Sequence, residues 1–226
     1  MSFASDCKEE LCRVPPEKPC CRLAELTALY MSAGALSLLG RGQTAVQFTL
    51  ESPAVARRAF RLTQEAIGVS AQVHAVTHAR FGGTKEYVLT IGPKDAPRLL
   101  TELGVMELDE TGAPRLRSTS PRVRLGRSCC RRAFLRGAML GCGTVSKPDS
   151  GTHLELSVRD AALGDQIARC MQSFNLPVHR TARRDGESIY LKQSEQLTTF
   201  LTLTGAHQAV TTIESLRVQK QVLGGG

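Results

Sequence analysis

Tryptophan is absent from this chain, and the remaining aromatics are scarce, with three tyrosines and seven phenylalanines in 226 residues. Binding of single strands relies on aromatic platforms for stacked bases. Such a platform is poorly supplied here, so a nucleic-acid partner would be duplex. Nothing approaches eighteen consecutive apolar residues, which excludes a membrane-spanning helix. The opening Met1–Ser5, followed by Asp6, has neither the basic start nor the apolar run of a secretory signal. A cytoplasmic chain is expected. The eight cysteines contain no Cys-x-x-Cys spacing of a zinc knuckle or redox pair. Cys20-Cys21 and Cys129-Cys130 are adjacent pairs, and Cys7, Cys12, Cys142 and Cys170 stand alone. A chain of this length holds a core without disulfides. These thiols read as reduced and structural, with no metal and no cofactor expected.

Acidic residues are missing from one stretch altogether. Arg115, Arg117, Arg122, Arg124, Arg127, Arg131, Arg132 and Arg136 follow one another with no carboxylate between them. The net charge of +8 arises entirely in the second half, where residues 113–226 carry 17 basic against 8 acidic side chains. Residues 1–112 carry 12 against 13. Guanidiniums so close repel unless solvent, salt or a polyanion screens them. A solvated linker satisfies that need; so does a phosphate backbone, with release of counterions, or an acidic protein partner.

An internal repeat organises the chain. Cys20-Cys21-Arg22-Leu23-Ala24-Glu25-Leu26 returns 109 residues later as Cys129-Cys130-Arg131-Arg132-Ala133-Phe134-Leu135. Each copy reads as a helix of about four turns continued by a short strand. Thr44–Glu51 then alternates as a strand, and His153–Val158 echoes it. Ser52-Pro53 opens a helix that Gly68 closes, and Asp160 opens one that Asn175 stops. Hairpins follow: Ala71–His78 and Lys85–Ile91 around Gly82-Gly83, then Val178–Arg183 and Ser188–Lys192 around Asp185-Gly186. Pro93–Leu103 and Glu195–Leu203 read as short helices stopped by Gly104 and Gly205. Ahead of the first copy, Asp6-x-x-Glu9 reads as a capping box for a helix ending before Pro15-Pro16. The class is α+β, a duplicated α-β-β-α-β-β-α unit with two antiparallel sheets. Residues 1–19 form an N-terminal lead-in, 20–111 the first unit, 112–128 an Arg-rich linker, 129–223 the second unit and 224–226 a glycine tail.

Small residues indicate how the units meet. Ala24, Ala28 and Ser32 in one long helix, and Ala133, Gly137 and Gly141 in the other, recur every four residues. That spacing keeps them on one side of each helix, where two backbones can approach closely. Glycine inside a helix costs about 1 kcal/mol relative to alanine, so Gly137 and Gly141 need a compensating contact. The two helices are expected to cross face to face on a pseudo-two-fold axis, making one saddle.

These features resemble the LAGLIDADG homing-endonuclease fold. Leu135-Arg136-Gly137-Ala138-Met139-Leu140-Gly141-Cys142-Gly143 matches its nonapeptide in the leading Leu and both Gly positions, and Leu26–Gly34 matches more loosely. The chain is more similar to the WhiA-type bacterial regulators of sporulation and cell division. That similarity runs from Met1-Ser2-Phe3-Ala4-Ser5 through both Cys-Cys starts to Gly205-Ala206-His207 and Val218–Lys220. The resemblance implies a DNA-binding transcription regulator. In the nucleases the residue before the final Gly of each motif is a metal-binding acid; here it is Ala33 or Cys142. Neither offers the hard oxygen that Mg²⁺ prefers, so no catalytic residue is assigned. WhiA-type proteins also carry a C-terminal helix-turn-helix reader, and this chain is expected to represent the region before it.

Duplex contact is expected to be weak and dominated by phosphates. The candidate residues are Arg122, Arg124, Arg127, Arg131, Arg132, Arg180, Arg183 and Lys192. His78, Arg80, Lys85 and Arg184 are further basic positions on the hairpins. The alternatives are a protein-interaction platform that positions a separate reader against RNA polymerase or another regulator, or an active Mg²⁺-dependent nuclease. Internal pseudo-symmetry makes a monomer sufficient, and a weak dimer is compatible with it.

Overall fold

A computed structural model of the chain describes residues 2–15, 18–78, 84–117, 121, 123–146 and 153–223. The first half runs α1 (Phe3–Arg13), α2 (Pro19–Ala33), β1 (Gly34–Gly40), β2 (Gln43–Leu50), α3 (Pro53–Ile67), β3 (Gln72–His78), β4 (Thr84–Ile91) and α4 (Ala96–Glu102). A ribbon of β5 (Met106–Leu108) and β6 (Pro114–Leu116) follows. The second half runs α5 (Ser128–Cys142), β7 (Gly143–Val145), β8 (Leu154–Val158), α6 (Ala161–Gln172), β9 (His179–Arg183), β10 (Gly186–Leu191), α7 (Ser194–Thr204) and α8 (His207–Leu223). The two four-stranded sheets have matching orders, β1-β2-β4-β3 and β7-β8-β10-β9. Every pairing is antiparallel. The architecture is therefore a duplicated α-β-β-α-β-β-α fold.

Local chemistry accounts for most boundaries. Ser52 Oγ accepts from the Val55 amide at 3.2 Å, Pro53 occupies the first turn of α3, and Gly68 ends it at φ 72°. In the second copy Asp160 accepts from Ala162 N at 2.9 Å, and Asn175 takes the left-handed conformation at φ 58°. Alternation along β2 buries Val46, Phe48 and Leu50, and along β8 it buries Leu154, Leu156 and Val158. Helices cover one face of each sheet with apolar side chains, leaving the other face polar.

Four boundaries depart from the sequence reading. The side-chain cap of α1 is Ser2, whose Oγ accepts from Ser5 N at 3.2 Å; Asp6 lies inside the first turn, where a carboxylate favours the helix dipole. Gly186 pairs with Arg183, so the loop of the second hairpin is Arg184-Asp185 and Gly186 already belongs to the strand. Its φ of 137° and an approach that would drive a Cβ into the Val158 carbonyl explain the glycine. Gly82-Gly83 lies outside the described residues. Residues 112–128 are not purely a linker, because β6 pairs with β5 and both Arg115 and Arg117 bridge to Glu107.

The last departure is α8. Gly205 does stop α7, at φ 104°, but the chain turns there and forms another helix of 17 residues. Ala206 has no side-chain acceptor to cap it. Glu10 of α1 does so from across the molecule, accepting from Gln208 N at 2.6 Å and Ala209 N at 3.0 Å. The first and last helices are thereby joined.

The centre of the molecule is the crossing of α2 and α5, the most extensive inter-element contact in the chain. A Cβ on Gly137 would overlap the carbonyl oxygen of Glu25 and sit 3.0 Å from the Ala28 Cβ; one on Gly141 would overlap Ser32 Oγ. Ala24 and Ala133 are buried on the same crossing helices. Beside this seam lies an ionic cluster that sequence patterning does not show. Glu25, fully buried, accepts from Arg58 Nε at 2.7 Å and Nη2 at 2.8 Å, and from Arg136 Nη1 at 3.0 Å. Arg136 also donates to the Thr204 carbonyl at 2.8 Å. A buried carboxylate with two hydrogen-bonded guanidinium partners is compensated.

Candidate nucleic-acid interface and helix junction

Each long helix runs directly into a strand, with Gly34 and Gly143 as the joints. The residues just before those joints are Ala33 and Cys142. Burial pushes the Cys142 thiol up to about 12, with nearby Lys8 acting in the opposite direction. Cys142 Sγ points back to the Ala138 carbonyl at 3.3 Å, so it is a protonated packing group near pH 7. Lys8, itself buried, is paired with Glu51. The two motif ends therefore present no carboxylate from either helix, and a clamp of two metal ions on a scissile phosphate lacks its ligands.

The sheet registers decide which predicted DNA contacts reach the open face. Arg183 does: it belongs to the outward row with Ser188 and Glu155. Its Nε donates to Ser188 Oγ at 2.9 Å and its Nη2 to Glu155 at 3.2 Å. Hydrogen bonding from Ser188, then the Arg183 partner, holds the Glu155 carboxyl below its usual range. His179 stacks on Tyr190 at 5.4 Å, and the Lys192 ammonium lies 5.2 Å from that ring. Together these side chains form a small cationic and aromatic patch on the second sheet.

Arg180 is placed otherwise. It pairs in register with buried Ile189, on the side that faces α6. There it binds Glu187 with two hydrogen bonds of 2.6 Å and Asp165 with one of 2.7 Å. Arg180 therefore does not stand on the expected DNA side; β9 is an edge strand with no buried side chain, so its alternation carries no inward mark. Lys85 likewise falls in the row of Tyr87 and Leu89. On the first sheet the outward rows include Gln47, Thr49, His74, Glu86, Val88 and Thr90, with no lysine or arginine among them.

The remaining candidates gather elsewhere. Arg127 is the N-cap of α5, with Arg131 and Arg132 in its first turns and Arg124 exposed just upstream. The 15 residues of α5 span about 22 Å, at 1.5 Å per residue, between this end and Gly143. This cluster is thus at the opposite end of the crossing helices from the strands. Arg131 also spends its guanidinium on the Phe174 ring, 5.8 Å away. Arg122 and Arg80 lie outside the described residues.

The same helix starts hold the cysteine pairs, and here the fold unites what the sequence separates. Sγ atoms of Cys20, Cys21, Cys129 and Cys130 all lie within 4.8 Å of one another. Cys21 and Cys130 are buried; Cys20 and Cys129 are half-buried. Burial raises the Cys21 and Cys130 thiols, whereas hydrogen bonds from Cys130 and Cys21, with Arg127 nearby, lower Cys20. Local ligand spacing carries no sign of this cluster. The signal was the repeat itself, which sets two Cys-Cys pairs at equivalent helix starts on either side of a pseudo-two-fold.

Comparison with known proteins agrees with this geometry. Residues 19–106 match the WhiA N-terminal LAGLIDADG-like domain, and residues 131–223 match the WhiA LAGLIDADG-like domain. The probable cell division protein WhiA of Heliobacterium modesticaldum is 35% identical over 221 residues, covering 97% of this chain and 68% of that protein. That of Alkaliphilus metalliredigens is 34% identical, covering 98% of this chain and 70% of its own. Among solved structures, full-length DUF199/WhiA from Thermotoga maritima superposes with a TM-score of 0.74 at 18% identity, covering 97% of this chain and 67% of that one. The endonuclease I-DmoI, in complex with DNA and Mn, shares the fold at a TM-score of 0.57 and 18% identity, covering 83% of this chain and 97% of that one. Among the described residues, no helix is long and apolar enough to cross a membrane. With both halves matched in order and the relatives spanned over two thirds of their length, this chain belongs to the WhiA family.

Proposed function

We propose that this chain is the endonuclease-derived scaffold of a non-enzymatic, cytoplasmic DNA-binding regulator of cell division and sporulation, touching duplex phosphates weakly. The observation that carries the reading is the pairing of a fold that binds DNA in I-DmoI with Ala33 and Cys142 at both motif ends. The open face of the second sheet supports it through Arg183, Lys192 and His179. So few cations predict low affinity with a shallow salt dependence, since each neutralised phosphate contributes a slope of about −0.9. Domain roles follow the repeat: units 20–111 and 129–223 form the saddle, and the Arg-rich 112–128 segment joins them.

A second reading has specific support. The first sheet's outward rows are polar and nearly uncharged, a surface better suited to a protein than to phosphates. RNA polymerase or another regulator would be such a partner, with the chain a monomer or weak dimer. Fluorescence anisotropy of a labelled duplex across a salt series tests the first reading, alongside incubation of supercoiled DNA with Mg²⁺ or Mn²⁺. Binding that weakens with salt and leaves the DNA intact is expected. Strand cleavage, or no duplex binding at low salt, overturns it.

A further inference from the structure

The structure assigns a ligand site independent of DNA contact: we propose that Cys20, Cys21, Cys129 and Cys130 form a four-thiolate site for one Zn²⁺ ion, clasping the two halves at the N-terminal end of their crossing helices. The geometry is close to what the ion requires. Zn–S bonds of about 2.3 Å in a tetrahedron place the sulfurs roughly 3.8 Å apart. Four Sγ atoms already within 4.8 Å of one another need only small side-chain rotations to reach that spacing. A set of four sulfur ligands selects a soft or borderline tetrahedral cation over Mg²⁺ or Ca²⁺.

The surroundings suit the charge. Four thiolates around a divalent cation leave a net charge of −2, which a cationic setting must offset. Cys20 and Cys21 follow Pro19 in the first turn of α2, and Cys129 and Cys130 follow Ser128 in the first turn of α5. Two positive helix ends therefore converge on the sulfurs and work against the burial that disfavours the Cys21 and Cys130 thiolates. Arg127, the N-cap residue of α5, stands two positions before Cys129, and Arg132 lines the same cavity as Cys21 and Cys129. That cavity, about 330 Å³ and also bordered by His207, gives an ion a way in from one side. The cleft beside Cys20 offers a second route. Packing alone does not account for the arrangement, because a core niche can be filled by one cysteine from each helix. Binding would release the thiol protons to solvent.

The chain is purified under reducing conditions without chelator, its metal content is measured, and Co²⁺ is then exchanged for the resident ion. About one Zn²⁺ per chain is expected, and Co²⁺ should give the intense thiolate charge-transfer and visible bands of a tetrahedral sulfur site. C20S and C129S should each lose most of the metal and the Co²⁺ bands, while C170S, altered at a buried thiol outside the cluster, keeps both. Circular dichroism reports whether each variant is folded, and the Co²⁺ spectrum of the unaltered chain needs no variant. A reduced, folded chain that takes up no Zn²⁺ from micromolar solution overturns the proposal. So does a mass deficit showing disulfides among these four residues in the protein as isolated, or metal that survives C20S and C129S but not C170S.

Discussion

Gly137 of α5 lies directly against the peptide oxygen of Glu25 in α2, where no Cβ fits. This contact sets how closely the two halves approach. Gly137→Leu should therefore destabilise the chain by about 3 kcal/mol through overpacking. At roughly 2–4 °C per kcal/mol for a chain of this length, Tm should fall by about 6–12 °C. Gly126→Ala, where a Cβ would meet nothing within 4 Å, should stay within about 0.5 kcal/mol of the parent. Thermal unfolding of both variants checks the pair.

Removing the Glu25 carboxylate is expected to be worse than removing either guanidinium partner. Glu25→Gln strands Arg58 and Arg136 in the interior, at a cost of about 3–5 kcal/mol. Arg136→Met leaves the two-bond contact of Arg58 in place and should cost less. Urea unfolding of the single variants, and of an apolar replacement of all three residues, should rank them in that order. The triple replacement should recover much of the loss.

On the second sheet, Arg183 and Arg180 should behave as different kinds of residue. Arg183→Gln should weaken duplex binding evenly across sequences and reduce the salt slope by about one. Arg180→Gln should leave binding unchanged and lower stability, because its partners are Glu187 and Asp165 on the helix side. Anisotropy titrations at several salt concentrations separate the two.

Glu155 offers a pH test. Its folded carboxyl titrates below its unfolded value because Ser188 and Arg183 favour the charged form. The stability it contributes is complete above the unfolded carboxylate range, near 4.5, and is lost as pH falls through the folded value. Glu155→Gln should flatten the acid side of the stability profile. It should also tighten duplex binding near neutral pH, since Arg183 is then free for a phosphate.

Glu10→Ala removes the cap of α8. Loss of about 1 kcal/mol is expected, with faster hydrogen exchange at the Gln208 and Ala209 amides. NMR exchange rates at those two positions check it, while amides in the middle of α2 should be unaffected.

Features that depend on near neighbours were legible in the sequence. Ser52-Pro53 with Gly68, Asp160 with Asn175 and the small residues on α2 and α5 each carry their own physical reason within a few positions. Features made by distant partners were not. The start of α8 is capped from α1, so Gly205 read as an end. The facing of Arg180 is set by register with β10, and the four thiols meet only once the halves are superimposed across their axis. Of the eight arginines in the acid-free stretch, four are engaged by ion pairs or a ring contact at Glu107, Glu25 and Phe174, partners that local spacing could not foretell, and three more stand at or just before the start of α5.

The repeat is matched in its small residues and its cysteine pairs but not in its buried charges. At the position 109 residues after Glu25 stands Phe134, and 109 residues before Arg136 stands Thr27. Two first halves brought together in the same way would put Thr27 where Arg136 stands and leave Glu25 with Arg58 alone, and two second halves would put Phe134 where Glu25 stands and leave Arg136 without its acid. Only an unlike pair brings Arg136 to Glu25. The Glu25 and Arg136 positions thus favour the joining of unlike halves over self-pairing of either one.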